Sequence, residues 1–353
     1  MFSDLQNHWS ASCILKLAEK SIIQGYPDGR VYPNQGLTRA ELAVLMVKAF
    51  PNLPLTQPTL NFSDLSPQHW AYSVIQTAVQ KSFFRGYPDN TFKPDQLVTK
   101  LQAILILTTA FIDQEPYAPP CILSRSFIDA AEIPNPAKPL VAQVTLTDLV
   151  VNYPNPKTLN PNRNITRGEV AALFCQALNL GGVPTQYIVE LPLLSEQRVN
   201  YTPLQTALIN QNWMEANRLT SNLILDLAGQ KQRGYLIADD TKTLPCLDIQ
   251  TVDLLWLKYS QGRFGLTIQA DIWRSLQGKN YEDSLRFEQT VGWNQTQPVF
   301  DLATAPKGHL PLRPALTEGI MNAWGGGWIQ AISQRLEDCC RLSVSAITLD
   351  SGE

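Results

Sequence analysis

Two groups of residues in this 353-residue chain have types and spacings that could do chemistry. The first lies in the C-terminal half, which holds six of the eight tryptophans (Trp213, Trp256, Trp273, Trp293, Trp324 and Trp328). There Ser260-Gln-Gly-Arg-Phe-Gly265 interrupts two helical stripes, and its glycines permit a tight reversal predicted to expose Arg263 and Phe264. Val291-Gly-Trp293 and Lys307-Gly-His-Leu-Pro311 fall outside the stripes, where ligand-contacting loops usually sit. The second group is a set of cations, Arg39, Lys100 and Arg167, each one residue after a threonine. If each threonine caps a helix, the cation occupies the first turn, where the helix dipole disfavours it by roughly 0.3 to 1 kcal/mol. Three such placements point either to an anionic ligand or to descent from one ancestral repeat.

No residue set suits catalysis. The chain shows no Ser-His-acid set, nucleophile elbow, phosphate loop or carboxylate pair, and vicinal Asp239-Asp240 cannot share one helix face. With three histidines in all, a histidine-rich metal site is excluded, and His309 reads as a rim hydrogen-bonding or structural residue rather than an axial ligand. The six cysteines (Cys13, Cys121, Cys175, Cys246, Cys339 and Cys340) lack metal-ligand spacing and are expected as reduced, buried thiols. A net charge of -3 gives no nucleic-acid footprint. The longest apolar run, Ile104 to Ile112, is too short to span a bilayer. Because Phe2-Ser-Asp4 already belongs to a repeat, no signal peptide is read, and a cytoplasmic seat is expected unless a leader precedes this sequence.

The elements that must position the cations repeat. His8-Trp9 returns as His69-Trp70 and Gly25-Tyr-Pro-Asp28 as Gly86-Tyr-Pro-Asp89, at an offset of 61. A weaker third copy carries Phe127-Ile-Asp129, Tyr153-Pro154 and Thr166-Arg-Gly-Glu169. Each unit reads helix, turn, helix. Ile14, Leu17, Ala18 and Ile22 form the first stripe, Gly25 and Gly86 are predicted to end that helix, and Tyr26-Pro-Asp-Gly29 suits a β-turn. Thr38-x-x-Glu41, Thr99-x-x-Gln102 and Thr166-x-x-Glu169 are capping boxes that open the second helix. Three units of this size form a pseudo-threefold or stacked array. The motifs resemble the S-layer homology module over residues 2 to 178. That resemblance implies a helical prism that binds cell-wall polysaccharide, with Arg39, Lys100 and Arg167 nearest the glycan. The boundaries are 1–60, 61–120 and 121–180 for the repeats, then a linker over 181–199 and a second domain over 200–345.

The second domain also reads as helical. Leu204 to Leu227 forms two helices, Ile249 to Tyr259 a third, and Ile268, Ile272 and Trp273 begin a fourth. Read alone, the Asp248 to Trp273 stretch is a helix-loop-helix with a core stripe. Its string Asp-x-Leu-Trp-x-x-Tyr-Ser-x-Gly-Arg-Phe-Gly, with Trp213-Met-Glu-Ala-Asn217, Val291-Gly-Trp293 and Lys307-Gly-His-Leu-Pro311, resembles the tetrapyrrole-binding family called "genomes uncoupled four". Asn217 stands where that family has an acid. The resemblance implies an all-α, cupped domain that binds protoporphyrin IX or Mg-protoporphyrin IX and assists the large subunit of magnesium chelatase. Such a protein is non-enzymatic and holds no metal of its own. A porphyrin is a flat apolar disc with two carboxylates on one edge, so it needs a greasy cup and rim cations. Phe264, Leu266, Trp293 and Leu310 are the expected cup, and Arg263, Lys307, Arg313 and Arg335 the rim. Peripheral attachment to a thylakoid or inner membrane fits this role. The alternative is an envelope or scaffold protein whose repeats bind glycan or protein, with a haem, a bilin or no ligand in the second domain.

Overall fold

The computed structural model describes residues 2–111, 115–314 and 327–350, with the side chains of the last helix described over 328–341. The described residues form fourteen α-helices with short 3₁₀ turns and only isolated β-bridges. The chain is therefore all-α, as the periodicity implied. It divides into two compact units, one of residues 1–116 and 122–191, the other of 117–121 and 192–353.

The first unit contains α1 (Ala11–Glu19), α2 (Arg39–Ala49), α3 (Tyr72–Gln80), α4 (Lys100–Thr108), α5 (Ile122–Ser126), α6 (Lys138–Leu146) and α7 (Arg167–Ala177). Thr38, Thr99 and Thr166 cap α2, α4 and α7, and all three boxes are complete, with the side chain of Glu41, Gln102 or Glu169 returning to the cap's backbone N–H. The helix starts close a ring. Val98 N–H donates to the Leu37 carbonyl (2.9 Å), Leu37 N–H to Ile165 (3.2 Å) and Ile165 N–H to Val98 (2.9 Å). Each helix's first free amide is also taken by a neighbouring repeat: Arg39 by Gln96, Lys100 by Arg163 and Arg167 by Gln35. Orphan N–H groups that water would otherwise meet thus become the seam between repeats. Around the seam α2 packs on α3, α4 on α6 and α7 on α1, so every repeat is completed by the next.

The Phe-x-Asp motifs do equivalent work in all three copies. Asp4 accepts from Val31 and Tyr32 N–H, Asp64 from Phe92 and Lys93, and Asp129 from Leu159 and Asn160. One expectation is corrected: Gly25 and Gly86 do not end the first helices, which stop at Glu19 and Gln80. The glycines instead lie under the Phe2 and Phe62 rings, where an added Cβ would come within 2.4 and 2.5 Å of ring carbon. Their missing side chain makes room for the motif's aromatic ring.

The second unit contains α8 (Thr202–Ile209), α9 (Trp213–Leu227), α10 (Ala238–Lys242), α11 (Cys246–Tyr259), α12 (Leu266–Ser275), α13 (Tyr281–Thr290) and α14 (Gly327–Asp350). α11 is buried on every side from Asp248 to Leu257, as expected for a central helix. Its two carboxylates need partners to survive there. Asp248 accepts from Tyr201 Oη (2.6 Å), the Ser195 hydroxyl and Glu196 N–H, fixing the entering strand of chain. Residues 181–199 are consequently not a free linker: Val183 and Val189 are buried with the first unit, while 195–196 clamp to the second. Asp253 accepts from Thr267 N–H (2.9 Å) and its hydroxyl. It replaces the cap that Gly265, at the start of α12 with φ +132°, cannot supply. Burial raises the Asp253 carboxyl to about 6 against those hydrogen bonds.

The cysteine expectation is overturned. Cys246 is bonded to Cys339 and Cys121 to Cys340, while Cys13 and Cys175 remain as buried thiols. Neighbours on a helix point about 100° apart. Vicinal Cys339 and Cys340 therefore reach different partners, the start of α11 and the 117–121 segment. Among the described residues no group of three or more His, Cys, Asp or Glu could hold a metal ion.

Candidate functional site

The Gly-Arg-Phe-Gly turn and the Lys-Gly-His-Leu-Pro loop, over 40 residues apart in sequence, are joined by backbone bonds. Gly265 N–H donates to Leu310 O (2.9 Å) and Gly308 N–H to Arg263 O (2.8 Å). Gln269 Nε2, fully buried, reaches the carbonyls of Gly308 (3.0 Å) and Pro311 (2.7 Å). Asn217 Oδ1 accepts from Leu312 N–H at 2.7 Å, so the amide supplies the acceptor that an acid would. His309 is fully buried and uses both ring nitrogens: Nδ1 faces the Val291 carbonyl (2.7 Å) and Nε2 accepts from Val299 N–H (2.9 Å). That pattern requires the neutral Nδ1–H tautomer, and burial holds the ring's pKa below its usual range. Its place is structural.

The expected site residues separate into distinct environments. Phe264 does not protrude from the turn: it is fully buried against Trp213 (5.5 Å between ring centroids) and Trp256 (6.3 Å). Ser260 draws it in, bonding to both its N–H and its carbonyl. Leu310 shares that core, whereas Leu266 lies in a second core with Trp273, Phe287 and Trp328. Arg263 turns its guanidinium to the carbonyls of Ala303 and Ala305, and Arg335 bonds Leu244 O at 2.8 Å. Lys307 is exposed. Trp293 and Arg313 come together.

They line a small pocket with Ser284, Phe287 and Glu288 of α13 and Trp328 and Ile329 of α14. An Asn280–Asp283 capping box starts α13 and sets this face of it. Phe287 meets Trp293 edge to face at 5.5 Å, and Trp293 is anchored by its Nε1–H on the His309 carbonyl at 2.7 Å. Arg313 Nη1 lies 3.1 Å from Glu288 Oε1, with both side chains more than four-fifths buried. Burial raises the Glu288 carboxyl and lowers the Arg313 guanidinium, each partly offset by the other's charge. Trp328 is 9% exposed, and its indole N–H is buried without an acceptor. An aromatic wall, a cation and an orphan donor together suit an apolar ligand with an anionic group.

Sequence patterning missed Ser284, Phe287, Glu288, Trp328 and Ile329. Asn280-x-x-Asp283 was a legible helix start, but nothing in it brings α13 against α14. Trp324, Gly325 and Gly326 lie outside the described residues, and Gly327 begins α14.

The cations of the first unit are buried. Arg39 bonds Phe92 O (2.8 Å) and lies over the rings of Phe84, Tyr87 and Phe92. Arg167 bonds Val31 O and Gln24 O and pairs with Glu41 at 3.1 Å, over Tyr26. Lys100 is 1% exposed, 3.4 Å from Glu169, and burial pushes its ammonium down to about 8. The exposure anticipated for an anion site is absent at these three positions. Their charges are answered by neighbouring repeats, which explains the unfavourable first-turn placement.

These two architectures match known families. Residues 194–324 match the family described as GUN4-like, and residues 2–43, 61–104 and 148–171 match the S-layer homology domain. The chain thus joins S-layer homology repeats to a GUN4-like domain. It is 37% identical over 131 residues to "Uncharacterized protein ycf53" of Porphyra purpurea, covering 35% of this chain and 53% of that one. It is 34% identical over 131 residues to "Tetrapyrrole-binding protein, chloroplastic" of Arabidopsis thaliana, covering 32% and 48%. It is 32% identical over 176 residues to "Cell surface glycoprotein 1" of Acetivibrio thermocellus, covering 46% of this chain and 7% of that protein. The chain spans about half the length of the ycf53 relatives it matches.

Proposed function

We propose that the GUN4-like domain binds a tetrapyrrole, and that this chain is a carrier or regulator rather than a catalyst. The observation that carries the reading is the meeting of Trp293 and Arg313 at an aromatic pocket with an unanswered indole donor. The similarity to a tetrapyrrole-binding protein supports it. Protoporphyrin IX or Mg-protoporphyrin IX is the proposed ligand, and the large subunit of magnesium chelatase the proposed partner. Titrating the full chain with deuteroporphyrin, followed by Soret absorbance, tests the first step. Saturable binding at about micromolar Kd, roughly 8 kcal/mol, weakened by Trp293→Ala, is expected; an unsaturable titration overturns the reading. Adding the chain to reconstituted magnesium chelatase should raise the rate of magnesium insertion, and an unchanged rate removes that partner.

A second reading concerns the first unit and the compartment. Two disulfides favour an oxidising environment, which agrees with S-layer homology repeats acting at the envelope and stands against a cytoplasmic seat. In this reading the repeats attach to wall polysaccharide or to another protein. Cell fractionation checks it: an envelope-associated, oxidised chain supports anchoring, and a soluble cytoplasmic chain with four free thiols from these cysteines removes it. Among the described residues no helix is long and apolar enough to cross a membrane.

A further inference from the structure

We infer that Glu288 stands in for a ligand carboxylate: the acidic arm of the bound molecule enters the α13–α14 pocket by displacing Glu288 from Arg313, and accepts a second hydrogen bond from Trp328 Nε1–H. The inference rests on the tetrapyrrole reading and specifies how its acidic edge is recognised.

Three observations carry it. Glu288 Oε1 lies 3.1 Å from Arg313 Nη1 inside the pocket lining, so an anionic group already occupies the position a ligand carboxylate would take. The pair is not sealed in a core: it lines a concavity together with Trp293 and Trp328. Beside it, Trp328 is 9% exposed with an indole N–H that has no acceptor. A buried donor without an acceptor loses roughly 1–3 kcal/mol relative to hydration. A carboxylate that bridged Arg313 and Trp328 would remove that cost, which Glu288 does not. By contrast Trp293 Nε1–H is already satisfied by His309 O, so its ring supplies a wall and not a donor. Glu288 lies near the C-terminal end of α13, from which its side chain can turn away when displaced.

This exchange makes Glu288 a selectivity residue. A neutral ligand of the same shape gains nothing from displacing it, while a free acid replaces the lost bond to Arg313 and adds a charged hydrogen bond from Trp328.

The test compares deuteroporphyrin IX with its dimethyl ester on the full chain, for wild type, Glu288→Gln and Trp328→Phe. Glu288→Gln removes the competing charge at nearly constant volume and should tighten the free acid about threefold to tenfold, leaving the diester unchanged. Trp328→Phe keeps a ring but deletes the donor and should weaken the free acid about tenfold, a loss typical of a hydrogen bond to a charged group, again without effect on the diester. Native-like circular dichroism and a cooperative thermal transition above the assay temperature show that the variants fold, and Arg313→Gln, which should cost the free acid its affinity, serves as a second variant should either fail. If wild type binds both compounds and the variants shift neither, or shift both alike, the tetrapyrrole reading stands and the exchange is wrong. If wild type binds neither, the tetrapyrrole reading itself fails and the exchange falls with it.

Discussion

The junction of the three repeats and the α13–α14 pocket each hold a basic residue beside a glutamate, yet they serve different ends. At the junction Lys100 faces Glu169, Arg167 faces Glu41, and backbone carbonyls take further guanidinium hydrogens. In the pocket Arg313 faces Glu288 next to an unanswered indole N–H and an open concavity. A buried cation whose surroundings are complete is holding structure together. A pair that lies beside an unanswered indole donor has room for one more acceptor. Basic residues picked out by sequence alone cannot be sorted this way, because completeness belongs to the neighbours.

Phe264, anticipated as a ligand contact, is a core residue between Trp213 and Trp256. Phe264→Ala should therefore destabilise the second unit by about 3–5 kcal/mol, read by denaturant unfolding. Porphyrin affinity should persist under conditions where the variant is still folded. Loss of affinity at unchanged stability would return Phe264 to the site.

Next is Lys100→Met, which keeps length and apolar volume but leaves Glu169 with only Arg163 as a basic partner. Removing one member of a buried pair costs about 3–5 kcal/mol, and the surviving arginine places this case near the lower limit. A melting temperature equal to wild type would mean that the junction does not depend on its charges, and would reopen the three cations as a ligand site.

Much of the first unit was legible because its information is local. Thr38, Thr99 and Thr166 announce helix starts through a residue three positions later, and the 61-residue offset announces the array. What the motifs did not reveal is that Leu37, Val98 and Ile165 bond in a ring, since no single repeat contains that contact. The second unit was legible as helices and as a family, but its site was not. Glycines flanking Arg263 and Phe264 predict their exposure, whereas Ser260 and the loop from 303 to 310 pull both inward. Whether a side chain leaves a turn toward water or core is settled by what packs over it. Phe287, Glu288 and Trp328 were invisible for the same reason, as were the partners of Cys339 and Cys340.

The smallest predicted effect concerns His309, where the pocket's support depends on a proton. Its Nε2 must stay unprotonated to accept from Val299 N–H, and burial holds the folded pKa below the usual value. In the unfolded chain the ring titrates near about 6.5. As pH falls through that value the unfolded state takes up a proton that the folded state refuses, so stability is full above it and declines below it. Between pH 7.5 and 6 the decline should be roughly 1 kcal/mol or less. Below about 6 the two groups oppose each other, because buried Asp253, raised to about 6, takes its proton in the folded state first and offsets the decline from His309. His309→Gln can still donate to Val291 and accept from Val299 but does not titrate. Denaturant midpoints followed by tryptophan fluorescence should slope downward from pH 7.5 to 6 in wild type and flatten in the variant. Equal slopes would assign the pH dependence elsewhere, and would leave Trp293, which leans on the His309 carbonyl, indifferent to the ring's charge.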